Sequence, residues 1–427
     1  MVRVVAIERL SSGDLTTLAT DHGQVPMNIG AVMTIGPGPG EVVETLRRRV
    51  AGIRRFRQRL LRPGFGAGRP LWVDDPAFDV AAHVRRLETD DVMEAAARLV
   101  CTPLPKDRPL WTLRWVEGLP DGRIAVVLVV HHVLADGMGG LAVLASLADG
   151  MPEAALASFA PWPTRRELRA DALRRRVAGL GTLRASGRQA LAGVREMGLF
   201  GQRPSLAERS SLLQPTSDRR TVRVVRVPLR ELLDVAHAHG ATLNDVVLTA
   251  VAGALFDLLA SRGEDVDELV VSVPVSGRRS GADLGNQVGA APVAVGAQAD
   301  PVQRLRAITA STQRLKQQER GHSGLLLGWL FRGLATVRLG QFFVDHQRLV
   351  HTFETNLRGP AEPVSIAGRI LEQILPIAVN PGNVTVSFDV LSYAGGVVIA
   401  VVADPEAVPD VDRLAGLLEG QLAELIG

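Results

Sequence analysis

Apolar and polar positions along the 427-residue chain fall into two rhythms, alternating by twos and by three-to-four. In the first 150 residues, AVMTI (31–35) predicts a short strand behind a turn containing Pro26. Over 41–54, Val42, Val43, Leu46, Val50 and Ile53 recur at helical spacing. Residues 70–75, 108–119 and 123–133 predict strands, the last two separated by the turn-forming PDG. The stretch 141–148 (LAVLASLA) predicts a helix directly behind them. A second half opens near Thr221 with TVRVVRVPL, which alternates as a half-exposed strand does. A short helix ending at Gly240 follows, then a long apolar helix over 242–263 with Thr242 or Asn244 at its cap. Further strands are predicted at ELVVSVPVSGRR, APVAVGA and within 364–403, with helical pattern over 301–345 and in the C-terminal VPDVDRLAGLLEGQLAELI. No internal repeat is present, and both halves are mixed α/β of similar size. The expected fold class is α/β with two lobes: 1–155, a linker over 156–220, and 221–427.

Composition narrows the function classes. Apolar residues make up 46% and charged residues 22%, as in a globular protein with a sizeable core. No run of about 18 uncharged apolar residues occurs, so no spanning helix is expected, and the start carries no signal-peptide core. One cysteine, Cys101, precludes an internal disulfide and makes a cytoplasmic location the default. With 9 scattered histidines, a structural zinc cluster is not expected, nor any metal. The net charge is only +3 and aromatics are 4%, too few for base-stacking platforms, so nucleic acid is not an expected partner. Charge is uneven, however. Residues 151–220 hold 13 arginines against 6 acids. That stretch reads as a solvated connector, or as a basic surface for anionic lipid or a phosphorylated molecule.

The chemistry concentrates in VVLVVHHVLADGMGG (126–140), where His131, His132, Asp136 and Gly137 form HHxxxDG at the end of an apolar strand. A neutral imidazole titrates near physiological pH and can take a proton from an alcohol or amine attacking an acyl carbonyl. His132, nearer the turn, is assigned this role. On an alternating strand His131 points the other way and is expected to be structural. Two roles are open to Asp136: orienting His132, or pairing with an arginine to hold the turn. The second is favoured, with Arg278 as candidate partner, while Gly137 permits the tight turn. GxSxG, GxxxxGK[ST] and a dinucleotide fingerprint are missing, which points to direct base catalysis without a covalent acyl-enzyme.

HHVLADG resembles the active-site motif of the CoA-dependent acyltransferase superfamily. RRFRQRL (54–60), GRPLWVDDPAFDVAAHVRR (68–86) and RPLWTLRWVEGL (108–119) are similar to the N-terminal lobe of bacterial wax ester synthase/diacylglycerol acyltransferases. TLNDVVLTAVAGAL (242–255), VPVSGRR (273–279), GNQVG (285–289), TNLRGP (355–360) and DVLSYAGGVVI (389–399) resemble the C-terminal lobe. The resemblance spans almost the whole chain, in family order. It implies a chloramphenicol acetyltransferase-like fold with a tunnel at the lobe interface. Acyl-CoA would be a substrate rather than a cofactor, and the acceptor a hydroxyl-bearing fatty alcohol, diacylglycerol or specialised metabolite. The family's ND motif falls on Asn244 and Asp245. Asn244 is open to two compatible readings, a helix cap or a donor to the developing oxyanion. Trp111 of PLW would line the core or a tunnel wall that contacts substrate, Asn286 would organise its loop, and TNLRGP would shape a turn. Departures are PMNIGA (26–31), where the family often has a histidine, and NLRGP in place of NVPGP. Two alternatives remain: an acyl donor borne on a carrier protein, and a lipid-binding protein without catalysis. The apolar, arginine-broken segment 324–343 suits an interfacial helix in peripheral membrane contact or a core helix, and the core helix is favoured.

Overall fold

IAVVLVVH forms β7 (Ile124–His131), and every one of its residues is buried. Continuous burial means that both faces of the strand are covered. In this computed structural model, which describes residues 7–21, 23–135, 137–152, 159–181, 206–276, 288–317 and 340–427, β7 lies inside a six-stranded sheet. Its partners are β2 (Asn28–Ile35), β5 (Val84–Arg86), β6 (Trp111–Val116), β12 (Ser365–Ile366) and β13 (Arg369–Ala378), in the order β12-β13-β2-β7-β6-β5. Helix α4 (Val92–Cys101), capped by the Asp91 carboxylate, packs its buried alanines and Val100 against this sheet. A small three-stranded sheet of β1 (Glu8–Arg9), β4 (Leu71–Asp74) and β3 (Gln58–Leu61) lies beside it, covered by α6 (Arg165–Gly181) through Leu168.

The second lobe is built on β8 (Thr221–Pro228), β9 (Glu268–Ser276), β10 (Val288–Gly296), β11 (Thr352–Arg358), β14 (Val386–Tyr393) and β15 (Gly396–Ala403), in the order β10-β9-β11-β14-β15-β8. Helix α7 (Leu229–Ala238) ends as expected at Gly240, whose φ of +61° suits glycine. Helix α8 (Leu243–Ser261) runs under the sheet, with α11 (Val411–Ile426) and α9 (Pro301–Gln317) alongside. Its apolar side chains meet Phe388, Val390 and Ile399 in one core. Among the described residues α8 alone is long and apolar enough to cross a membrane, yet most of it is buried inside the protein. Each fully buried Leu or Val there is worth about 1.5–3 kcal/mol relative to exposure.

The two-lobed α/β expectation holds, with one crossover between the halves of the sequence. Strands β12 and β13, from the C-terminal half of the sequence, belong to the N-terminal sheet, where β13 pairs antiparallel with β2. Alternation in RILEQILPIA reports which residues are buried, not which strand they pair with. Asp149 fastens this crossover by accepting from Arg49, Ser365 and the amides of Ala367 and Gly368. Tyr393 ties the lobes further, donating to the Leu371 carbonyl at 2.6 Å and accepting from the Val364 amide. TNLRGP also differs from expectation. Residues 355–358 continue β11, and the chain leaves the strand only at Gly359. Of the 301–345 helical pattern, α9 and α10 (Gly340–Asp345) are seen, while 318–339 lie outside the described residues, and with them most of the 324–343 segment.

Candidate active site

The end of β7 is held by backbone bonds on both sides. The His131 amide donates to the Leu110 carbonyl at 2.9 Å, and the His132 amide to the Met27 carbonyl at 2.7 Å. Asn28 stands opposite His131 in the ladder. Its amide nitrogen donates to the carbonyls of Val100 and Thr102, both at 3.0 Å, closing the C-terminus of α4. The asparagine of PMNIGA is therefore a structural tie. After His131 the chain turns through 132–134 and enters α5 (Gly137–Ser146), so Gly137 opens the helix.

The two histidines differ in environment. His131 is buried, with both ring nitrogens engaged: Nδ1 accepts from the Val133 amide at 3.1 Å, and Nε2 lies 3.2 Å from the Asp21 carboxylate. An accepting Nδ1 places the proton on Nε2, which then donates to Asp21. Asp21 also accepts from the Met27 amide at 3.0 Å and lies 3.8 Å from Lys106. Burial pushes the Asp21 carboxyl up, but the bonds from His131 and Met27 and the nearby positive charges outweigh it and hold its pKa below the ordinary value. His131 thus resembles the buried structural histidines His83 and His351. His83 donates to the Trp111 carbonyl, while His351 accepts from the Val270 amide and donates to the Glu208 carbonyl. His132 is different, half-buried at the turn where the strand stops. Asp136, Arg278 and Asn286 lie outside the described residues, as does the proposed Asp136–Arg278 tie.

A cleft of about 580 Å³ opens beside His131 and Asp21. Leu18, Leu60, Leu104 and Leu110 give it apolar walls, and Arg59, Arg62 and Lys106 bring three cations to its lining. Among the described residues no group of three His, Cys, Asp or Glu side chains is arranged to hold a metal.

Across the lobe seam, Thr242 caps α8 rather than Asn244. The Thr242 hydroxyl accepts from the Asp245 amide and the Asp245 carboxylate accepts from the Thr242 amide, a reciprocal capping box. The other Asp245 oxygen accepts from Thr312 of α9 at 2.8 Å, so Asp245 is a buried structural clamp. Asn244 is left half-buried, with its side-chain amide facing Glu354 of β11. Trp111 is 1% exposed. Phe56 stacks on its ring at 4.6 Å and His83 at 4.4 Å, and its indole N–H donates to the Phe56 carbonyl at 2.8 Å. Both faces are covered, so the expected substrate contact has no open ring surface and Trp111 belongs to the core.

Sequence reasoning missed three acids. Asp21 sits in a polar loop with nothing to mark its partner. Glu354 and Asp389 are fully buried on β11 and β14. Asp389 accepts from the Thr355 hydroxyl at 2.9 Å and from the Ala378 amide of β13. Burial still drives the Asp389 carboxyl up to about 7.

The fold is two-lobed, lends two strands of its C-terminal half to the N-terminal sheet, and carries paired histidines at the end of β7. Residues 10–247 match the wax ester synthase/diacylglycerol acyltransferase catalytic domain, and residues 284–426 match the C-terminal domain of the same family. A relative from Mycobacterium tuberculosis (strain ATCC 25618 / H37Rv), named as a probable diacylglycerol O-acyltransferase, tgs1, is 32% identical over 98% of this chain and 95% of its own. The structure is similar to the wax ester synthase/diacylglycerol acyltransferase of Marinobacter aquaeolei VT8, with a TM-score of 0.69, 22% identity and 98% of each chain covered. It is also similar to the first condensation domain of the calcium-dependent antibiotic synthetase, with a TM-score of 0.64, 22% identity and coverage of 99% and 96%. The chain belongs to the wax ester synthase/diacylglycerol acyltransferase family, and it is an O-acyltransferase acting on a hydroxyl acceptor.

Proposed function

We propose that this enzyme transfers an acyl group from acyl-CoA to the hydroxyl of a diacylglycerol or fatty alcohol, with His132 as the general base. The supporting observation is the division of labour in the histidine pair. Both nitrogens of His131 are occupied by scaffold groups, which leaves His132 as the imidazole of the motif for proton transfer. His132 removes the acceptor's proton as its oxygen attacks the thioester carbonyl. Asn244 donates to the oxygen on which charge develops. As the tetrahedral intermediate collapses, the C–S bond breaks and His132 returns the proton to the CoA sulfur.

The cleft beside His131 supports the choice of donor, since its leucines suit an acyl chain and its cations suit phosphate oxygens. One face of the N-terminal lobe supports a lipid acceptor. Phe65 is fully exposed, Trp162 and Phe159 are 39% and 41% exposed, and Leu173 and Val177 project from the outer side of α6 among arginines. Exposed aromatics interleaved with arginine suit the surface of an anionic bilayer, so a cytoplasmic enzyme working at a membrane surface is the reading adopted. The same arginines favour a second reading, an acyl donor borne on an acidic carrier protein. Incubating the protein with acyl-CoA or acyl-carrier protein and a panel of alcohols and diacylglycerols, then weighing the products, tests both. Ester from acyl-CoA with wild type but not with H132A is expected. Ester from the carrier-bound donor alone selects the second reading.

A further inference from the structure

Glu354 has no accessible surface, and neither of its carboxyl oxygens makes a hydrogen bond of ordinary geometry. The group facing it is the side-chain amide of Asn244, two residues after the Thr242 cap of α8. Two residues along the same face of β11, the Asn356 amide nitrogen is also buried without a partner. The strip from Asn244 to Asn356 is therefore polar and short of ordinary protein hydrogen bonds, where buried polar groups are ordinarily satisfied.

A series of contacts leads from the histidine motif to Thr355, the chain neighbour of Glu354, whose own side chain lies on the opposite face of β11. His131 pairs with Asn28, and the next residue of β2, Ile29, pairs with Ala378 of β13. The Ala378 amide donates to Asp389, which pairs with and accepts from Thr355, the neighbour of Glu354. Adjacent strands stand about 4.8 Å apart, so Asp389 lies at the seam within a few ladder steps of the site, with Glu354 buried behind it.

A side-chain amide offers an acceptor at one end and donors at the other, whereas a carboxyl changes from donor to acceptor when it ionises. We propose that Glu354 is the positioning residue for Asn244, its protonation state selecting which end of the amide faces the acid. As a neutral acid Glu354 donates to the amide oxygen and leaves the NH₂ group turned to the reacting carbonyl. As a carboxylate it draws the NH₂ group onto itself and withdraws the donor. This rests on the oxyanion role of Asn244 proposed above. Burial, then the charges of Asp389 and Asp245, push the Glu354 carboxyl up to about 8 against the approach of Asn244, so the acid form predominates at neutral pH. The groups facing it from the packed elements are Asn244 and Asp245 of α8 and Asp389 of β14.

The test compares the full-length wild type with E354Q and E354L, measuring kcat/KM for ester formation between pH 6 and 9.5 and unfolding midpoints without substrate over the same range. In the wild type, activity falls by about tenfold per pH unit well above pH 8. E354Q, which donates at every pH, stays within about threefold of wild type near pH 7 and loses that alkaline fall, whereas E354L drops by about tenfold or more at every pH. An E354L enzyme with wild-type activity and alkaline limb overturns the proposal, as does an E354Q enzyme as impaired as E354L. Should the wild type form no ester, the acyl-transfer reading has failed instead, and unfolding then decides. A folded-state pKa raised above the unfolded value makes stability fall as pH rises between the two. The wild-type midpoint is therefore expected to fall up to about pH 8 by more than that of E354Q, and identical slopes overturn the neutral acid facing Asn244.

Discussion

The two sides of the lobe seam treat buried polar groups differently. On the N-terminal side the ionisable groups near the end of β7 are bonded, His131 by Val133 and Asp21 and Asp21 by Met27, and the Asn28 side-chain nitrogen meets two carbonyls, while its side-chain oxygen is buried without a protein partner. On the C-terminal side, Glu354 is under-bonded and Asp389, though bonded, remains buried beside it. Bonded groups hold one geometry around neutral pH, whereas an under-matched acid in low dielectric stays protonated there and makes its surroundings depend on pH. The first side is a frame that presents His132. The second is adjustable.

The contrast can be broken or sharpened by substitution. Trp111→Ala removes the ring on which Phe56 and His83 stack, deep in the frame. It should cost about 3–5 kcal/mol in urea unfolding, the largest loss of stability expected here. A cost under 1 kcal/mol would show that the frame is loosely packed. Asp389→Asn should act through pH. The wild-type carboxyl is neutral when folded and ionised when unfolded between its ordinary value and about 7, so stability falls with rising pH over that window. The variant should lose most of that slope while still accepting from Ala378. Asp21→Asn should act in the opposite direction. Asp21 is held below its ordinary value, so it contributes stability above that value that is lost as pH falls through the folded pKa. The variant should be less stable than wild type near neutrality, with the difference shrinking at strongly acid pH, as measured by urea unfolding. Thr242→Ala opens one half of the capping box and should cost about 1 kcal/mol, measured the same way.

How much of this was legible in the chain depends on the range of the cause. Strand β7 and its terminal His131 follow from a local run of β-branched residues, whereas His132 lies past the strand end, in a turn where alternation no longer applies. The helix over 242–263 was equally plain, although its cap was divided between Thr242 and Asn244 until the reciprocal bond with Asp245 decided it. What could not be read is tertiary. RILEQILPIA looks like any strand of the C-terminal half, and only pairing with β2 moves it to the other lobe. Glu354, between Phe353 and Thr355, suggests a solvent-facing position, because alternation marks polar residues as exposed unless a helix covers them. TFETNLR was obscured by the following Gly-Pro, which directs attention to a turn.

The most direct measurement sets His132→Ala beside His131→Asn in a single-turnover assay of acyl transfer from acyl-CoA to diacylglycerol, with folding of both checked by circular dichroism. With His132 as the base, H132A loses about 10²–10⁴-fold in rate. H131N unfolds more easily yet keeps activity within about tenfold when folded. A folded H132A enzyme at wild-type rate, or a folded H131N enzyme as inactive as H132A is expected to be, would contradict the assignment.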